Sequence, residues 1–567
     1  MRAPSQPQFS FVRPAFMIIP ILRRILLLVF AVLKSPVLTF PVLTAAGPPT
    51  ASAQEPIDAH VIRLEADWAV DGALPTNAML ISLQGLANQG APRLYFIYPP
   101  DWTFTFTESV YDYYGDTHHI GFTELPSAEA ALAQFSEHAE GYVVWDTDVR
   151  TSLIVAFTVA GLENAVVVSK DLIPLVREHG LEAVEDFRGR FTGWSDYEIY
   201  QWAYDEYWDR TSKDYVIWMG GVYNNVMEPG VADFGIYQKA FFTDLSADPA
   251  DTLEYELADR LLGEMNPRSI VMGWHSYMKD TEGQHVTLTS SHALKMEGLN
   301  TLPNTSFNIQ IPTTPGYRFT NNHNVAPDTT LVPEEKVYVT AIQTDGLGIG
   351  AWLQPGRGLI PYAWEVTMNW SWLSPALLQY FFDMATPNDY FIGVLSGPGY
   401  MYPKPIPRDQ LPLLIEEARA LMHDLDLRVF EIMDYSEGNR LIGNLDLPEE
   451  IVDAYYEGMP EAIGFVNGYG PAHTFDIREG RPFLSYDYYL GERRPVDEAV
   501  ADLEELARLN SERPYFLTMH VRQWRSIEHV KAILDRLGPE FEVVPLDVFL
   551  KLAAGNPTFE RNYLTRP

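Results

Sequence analysis

The sequence predicts an α/β protein in which small α/β domains precede a C-terminal (β/α) barrel. From about residue 236 onward, short apolar runs alternate with helix-periodic segments over roughly 320 residues, the size and rhythm of such a barrel. Between 57 and 210 a shorter β-α-β-α alternation reads as one or two domains with parallel strands. The 567 residues also exceed what a single core usually holds. These signals divide the chain into a signal peptide (1–53), an N-terminal α/β domain (54–140), a second small α/β domain (141–235) and the barrel (236–567).

The elements follow in order. Arg13, Arg23 and Arg24 precede the apolar run 25–33, and Ala51-Ser52-Ala53 precedes Gln54, which is the layout of a cleaved secretory leader. Neither apolar run in this region reaches the ~20 residues that span a bilayer. The expected location is therefore secreted or periplasmic, with no stable membrane insertion after cleavage. Strands are expected at 93–98, 141–146 and 165–169, with helices at 128–138, 152–162 and 172–179. In the C-terminal series, strands are expected at 239–245, 269–274, 286–290, 336–343, 390–395, 428–433, 462–467, 514–520 and 541–545. Helices fall at 252–265, 374–385, 408–424, 496–511 and 526–537. An open doubly wound sheet is the alternative to a barrel.

Composition excludes several function classes. A formal charge of −36, about −41 without the leader, offers no Lys/Arg footprint for nucleic acid. The absence of cysteine excludes disulfides, thiolate nucleophiles and Cys-ligated zinc. Dinucleotide, P-loop and G-x-S-x-G signatures are missing, so no cofactor is expected.

Candidate reactive residues come from strand ends, where barrel loops converge. Alternation along 337–345 groups Gln343 and Asp345 on one face, which is expected to look into the barrel, with Gly346 and Gly348 leaving room for a ligand. Thr518, His520 and Arg522 share a face of the 515–522 strand. Glu431 stands in an apolar strand, where a carboxylate needs a polar lumen. Asp345, Glu431 and His520 are the catalytic candidates, and Glu365 and Asp487 are reserve acids. His275, ending another strand, and Trp364, with Trp370 and Trp372 nearby, are candidates for lining the mouth.

Ser396-Gly397-Pro398-Gly399-Tyr400-Met401-Tyr402-Pro403 follows the 390–395 strand. It resembles, at every specified position, the signature of the GxGYxYP putative glycoside hydrolases. Leu83-Gln84-Gly85, Asn88, Ala160-Gly161-Leu162, Arg357-Gly358, Pro361 and Trp364 are similar to the family's other blocks. The resemblance implies a C-terminal barrel of the glycoside hydrolase/deacetylase type and a carbohydrate substrate. The family usually has Ser-Asp-Gly-Asp-Asn where this chain has Thr344-Asp345-Gly346-Leu347-Gly348. Gly397, Gly399, Tyr400 and Tyr402 suit a sugar-binding loop, the glycines by close approach and the tyrosines by ring and hydroxyl. Three activities remain open: a glycosidase using Asp345 and Glu431, a metal-assisted deacetylase using Asp345, His275, His520 and Glu431, and a non-catalytic glycan binder.

Overall fold

The computed structural model describes residues 57–65, 68–69, 72–99, 106–220, 222–223, 226–227, 231–298, 302–347, 351–437, 444–557 and 560–565. The expected signal peptide and Gly348 lie outside the described residues. Among the described residues, no helix is long and apolar enough to cross a membrane.

The fold is mixed α/β with several parallel sheets. The first sheet runs β2–β1–β3, from β1 (Asp58–Arg63), β2 (Leu94–Ile97) and β3 (Gly121–Glu124). The second runs β5–β4–β6, from β4 (Gly141–Val144), β5 (Ala165–Val168) and β6 (Ala183–Asp186). A third contains β7 (Tyr215–Met219), β10 (Phe241–Thr243), β11 (Ile270–Trp274) and β12 (Lys295–Gly298) in the order β10–β7–β11–β12. A small hairpin, β8 (Val222–Tyr223) with β9 (Val226–Met227), follows β7. Strands expected in the barrel at 239–245 and 269–274 thus pair with β7 instead, so sheet membership does not change at residue 236. The stretch 286–290, expected as a strand, lies in the helix Glu282–Ser291. Its β-branched Val and Thr suggest a strand, but Thr281 and Gln284 form a capping box that starts a helix.

The fourth sheet has ten strands: β13 (Val337–Gln343), β14 (Tyr362–Val366), β15 (Asp389–Gly393), β16 (Val429–Ile432), β17 (Gly464–Asn467), β18 (Asp476–Arg478), β19 (Arg481–Ser485), β20 (Tyr488–Leu490), β21 (Tyr515–Val521) and β22 (Phe541–Val543). Their order is β18–β19–β17–β16–β15–β14–β13–β21–β20, with β22 also on β13. All pairings are parallel except β18 with β19. β19 pairs with β17 and β20 with β21, yet only Tyr486 and Asp487 separate β19 from β20. Across that break the Tyr486 N–H donates to Asn467 O (3.2 Å) and the Asp487 N–H to Thr518 O (3.0 Å).

Alternation sorts this sheet into two faces. Val337, Val339, Ala341, Trp364, Phe391, Phe430, Ile432, Leu517 and Met519 join the main core. Tyr338, Ile342, Ala363, Tyr390, Ile392, Val429, Val466, Leu484 and Phe516 form a second core with the helix Leu546–Gly555. This corrects the expected facing of β13: its odd-numbered residues pack on the main core, and its even-numbered ones share the face of Glu431 and His520.

Phe549 of that helix is fully buried and meets Phe516 edge-to-face at 5.5 Å. Phe549→Ala should cost about 3–5 kcal/mol, read as a lowered midpoint in denaturant unfolding.

Candidate functional site

Glu365, Glu431 and His520 meet at the C-terminal ends of β14, β16 and β21. All three are fully buried, and one donor atom of each lies within 4.8 Å of the others. His520 Nε2 is 3.8 Å from Glu365 Oε1. Each strand carries its polar residue on one face of the sheet, between apolar residues that anchor the opposite face in the main core: Trp364 and Val366, Phe430 and Ile432, Met519 and Val521. The period-2 pattern therefore drives these polar side chains together.

Partners fix the three groups. The Tyr486 hydroxyl donates to Glu431 Oε2 at 2.7 Å. His520 Nδ1 bonds to the Tyr469 carbonyl oxygen. A carbonyl only accepts, so Nδ1 carries a hydrogen and Nε2 is the ring nitrogen turned toward the carboxyls. The rings of Tyr469, Tyr486 and Tyr489 enclose the imidazole at 4.3, 4.6 and 5.5 Å between centroids. Burial pushes the Glu365 carboxyl well above the usual range, and the charges of Glu431 and Asp345 add to this. The N–H groups of Asp345 and Gly346 oppose that shift without closing a hydrogen bond to either Glu365 oxygen. Burial likewise raises Glu431, to about 8, with the charge of Asp345 adding to it and bonds from Tyr486 and Glu365 opposing it.

Asp345 is the partly exposed member of the site. β13 itself ends at Gln343, and the chain then turns through left-handed conformations at Asp345 (φ 64°) and Gly346 (φ 76°). That turn, not strand alternation, carries Asp345 to the site. Its carboxylate accepts from Arg522 Nη1 at 2.7 Å and from the Tyr469 hydroxyl. Tyr469 thus links Asp345 through its hydroxyl to His520 through its carbonyl. Leu347, which follows this turn, is buried in the main core.

The structure brings Asp345, Glu431 and His520 together and adds the reserve acid Glu365. Glu365 was detectable as a carboxylate in the apolar run Tyr362–Val366, the same signal that marks Glu431. Tyr469 and Tyr486 carry no such signal, because they come from loops whose paths only the fold defines. His275 stands elsewhere, at the end of β11, with Nδ1 3.0 Å from Asp280 Oδ1. Asp487 is half-buried, accepts from the Thr518 N–H and the Tyr515 hydroxyl at 3.0 Å each, and is raised by desolvation to about 7. Trp364 and Trp370 are buried in the main core, and Trp364 Nε1 donates to Asp389 Oδ1 at 2.8 Å.

The Gly397–Pro403 loop docks against the third sheet. Tyr400 and Met296 exchange two backbone hydrogen bonds of 2.8 and 2.9 Å, an antiparallel bridge to β12. Tyr400 stacks on Trp274 at 6.0 Å and donates to Glu282, while the Tyr402 N–H donates to Ser290 Oγ at 2.9 Å. Both tyrosines are buried, 5% and 0% exposed, so their rings present no open face to a ligand here. A Cβ on Gly399 would stand 2.9 Å from the backbone Met296 O, so close packing excludes a larger residue there, while one on Gly397 would meet only the Met401 side chain, at 2.3 Å from Sδ. Two successive non-glycine residues with left-handed backbone, Leu395 and Ser396, lead into the loop. Ser396 holds it to β16 through Met433, its Oγ donating to Met433 O at 2.7 Å and accepting from Met433 N at 2.9 Å.

A cleft of about 840 Å³, lined by Arg419, Asp426, Arg428, Glu461 and Arg481 among others, lies at the start of β16 and β17. This is the opposite end of the sheet from the carboxyls. In parallel α/β folds chemistry collects at the C-terminal strand ends, so position outweighs size here.

A crystal structure of a putative hydrolase from Bacteroides thetaiotaomicron VPI-5482 shares this fold. It aligns with a TM-score of 0.71 at 19% identity, covering 89% of this chain and 96% of that one. No curated protein matches. Four family models match in succession: the GxGYxYP_N first domain at 61–137, the GxGYxYP_N second domain at 139–211, the GxGYxYP third domain at 213–310, and the GxGYxYP putative glycoside hydrolase C-terminal domain at 335–554. The chain belongs to this GxGYxYP family.

Glu297 on β12 is buried beside the signature loop, accepts from Asn369 Nδ2, and is raised by burial to about 8. A raised carboxyl binds its proton more tightly folded than unfolded. Its contribution is complete below about pH 4.5 and is lost as pH rises through 8. Denaturant midpoints measured from about pH 5 to pH 9 should fall less steeply in Glu297→Gln than in the parent, and the variant should be the more stable at the alkaline end.

Proposed function

We propose that this protein hydrolyses glycosidic bonds in an extracellular poly- or oligosaccharide, with the Asp345–Glu365–Glu431–His520 group as its reaction centre. The observation that carries the reading is the contrast between carboxyls in one small space. Asp345 is partly exposed and paired with a guanidinium, while Glu431 and Glu365 are buried and pushed toward the protonated form. Glycoside hydrolysis needs that division: an acid to protonate the leaving oxygen and a carboxylate to serve as base or nucleophile. Glu431, with Glu365 behind it, is the proton donor. Asp345 is the carboxylate, positioned by Arg522 and Tyr469. His520 keeps an acceptor toward the pair and lets the proton move between the buried groups.

The scaffold belongs to the same proposal. We infer that the fourth sheet closes into a seven-membered (β/α) ring, with β19 and β20 acting as one interrupted strand between β17 and β21. Strand pairing on both sides of the two-residue break supports this. The leader-like segment 1–53 supports a secreted or periplasmic site of action, and the charge of −36 argues against nucleic acid as partner.

Asp345→Asn and Glu431→Gln, assayed on an oligosaccharide panel, should each lower kcat by about 100-fold or more with little change in KM. Unchanged turnover in both variants would overturn the assignment.

A further inference from the structure

We propose that Glu365, Glu431 and His520 form a binding site for one divalent transition-metal ion of the zinc type. The inference rests on the proposed reading only for the location of the reaction centre, and it assigns that centre a ligand. Two carboxylates match the charge of a divalent ion, and carboxylate with imidazole is a donor set that zinc, manganese and cobalt accept.

The unsatisfied atoms point to it independently. Glu365 is fully buried, neither of its oxygens receives a well-formed hydrogen bond from a neighbouring N–H or hydroxyl, and Glu431 Oε1 is in the same state, the two carboxyls facing each other. Buried polar atoms in that state need an ion, a proton or a water to offset their desolvation. The atoms that are satisfied are those a metal site leaves for outer contacts. Tyr486 holds Glu431 by Oε2, which leaves Oε1 facing the cluster. The Tyr469 carbonyl holds His520 by Nδ1, which leaves Nε2 facing Glu365. A ligating histidine that gives its other N–H to a backbone carbonyl, and a ligating carboxylate tied by a hydroxyl, are the usual outer supports of such sites.

The spacing allows it. Bonds of about 2.0–2.2 Å place ligand atoms roughly 3.5 Å apart around an ion. With the present separations within 4.8 Å, each side chain needs to move inward by about an ångström or less. Three protein ligands would leave a fourth coordination position open. The set differs from the one the sequence suggests, because His275 is held at the end of β11 by Asp280.

The test uses the full chain, stripped with a chelator and titrated with zinc chloride or cobalt chloride. Bound metal is counted by plasma mass spectrometry, and the coordination of cobalt is read from its visible ligand-field bands. One ion per chain is expected. Glu365→Gln and His520→Gln should each abolish stoichiometric binding and the cobalt bands, and His423→Ala, at the exposed end of a helix, should leave both intact. If Glu365→Gln fails to fold, Tyr486→Phe serves instead, with an expected affinity loss of about 10-fold. Absence of a stoichiometric ion, or binding unchanged in both ligand variants, overturns the site and leaves the acid–base reading standing. An ion that silences hydrolysis, reversed by chelation, supports both claims, since it ties up Glu431. An ion required for hydrolysis keeps the site and overturns Glu431 as proton donor.

Discussion

The desolvation of two carboxyl groups at one end of a parallel sheet is the constraint on which this structure depends. Glu365 and Glu431 are fully buried. A buried carboxylate costs several kcal/mol unless it is paired, protonated or bound to an ion. The surroundings meet that demand in stages. Tyr486 donates to Glu431, three tyrosine rings pack around His520, and Asp345 with Arg522 closes the layer toward solvent. The strands supply the rest, since the neighbouring residues on their other face are anchored in the main core and leave the carboxyls no other side to face.

The N-terminal part is coupled to this arrangement through the signature loop. Its backbone bridges Tyr400 to Met296, and Ser396 bonds to Met433, one residue past β16. β16 carries Glu431, so the loop joins the third sheet to the strand that positions a buried carboxyl. The close approach of Met296 O to Gly399 accounts for the second glycine of the motif by backbone packing. Tyr400 and Tyr402 act here as interface residues with bonded hydroxyls.

Much of this was legible in the sequence. The alternation of apolar runs with helical segments gave the α/β class, and a lone carboxylate in an apolar run marked Glu431. The T-M-H alternation of 518–520 marked His520. Other parts were hidden for physical reasons. Asp345 reaches the site through two left-handed residues that alternation cannot foresee. β14 is a short strand with a charged residue in it, and β19 and β20 are interrupted at Tyr486–Asp487, so neither reads as a clean apolar run. The helix at Glu282–Ser291 is rich in β-branched residues and is decided by its N-terminal cap. The contacts of Tyr469 and Tyr486 are long-range and leave no local trace.

The most direct test is a crystal structure of Glu431→Gln with an oligosaccharide bound. The account predicts a glycosidic oxygen within hydrogen-bond reach of Gln at 431 and the sugar against Asp345, at the C-terminal ends of β13, β14 and β16. Saccharide bound instead in the 840 Å³ cleft at the opposite end of β16 and β17, with the Asp345 region empty, would contradict it.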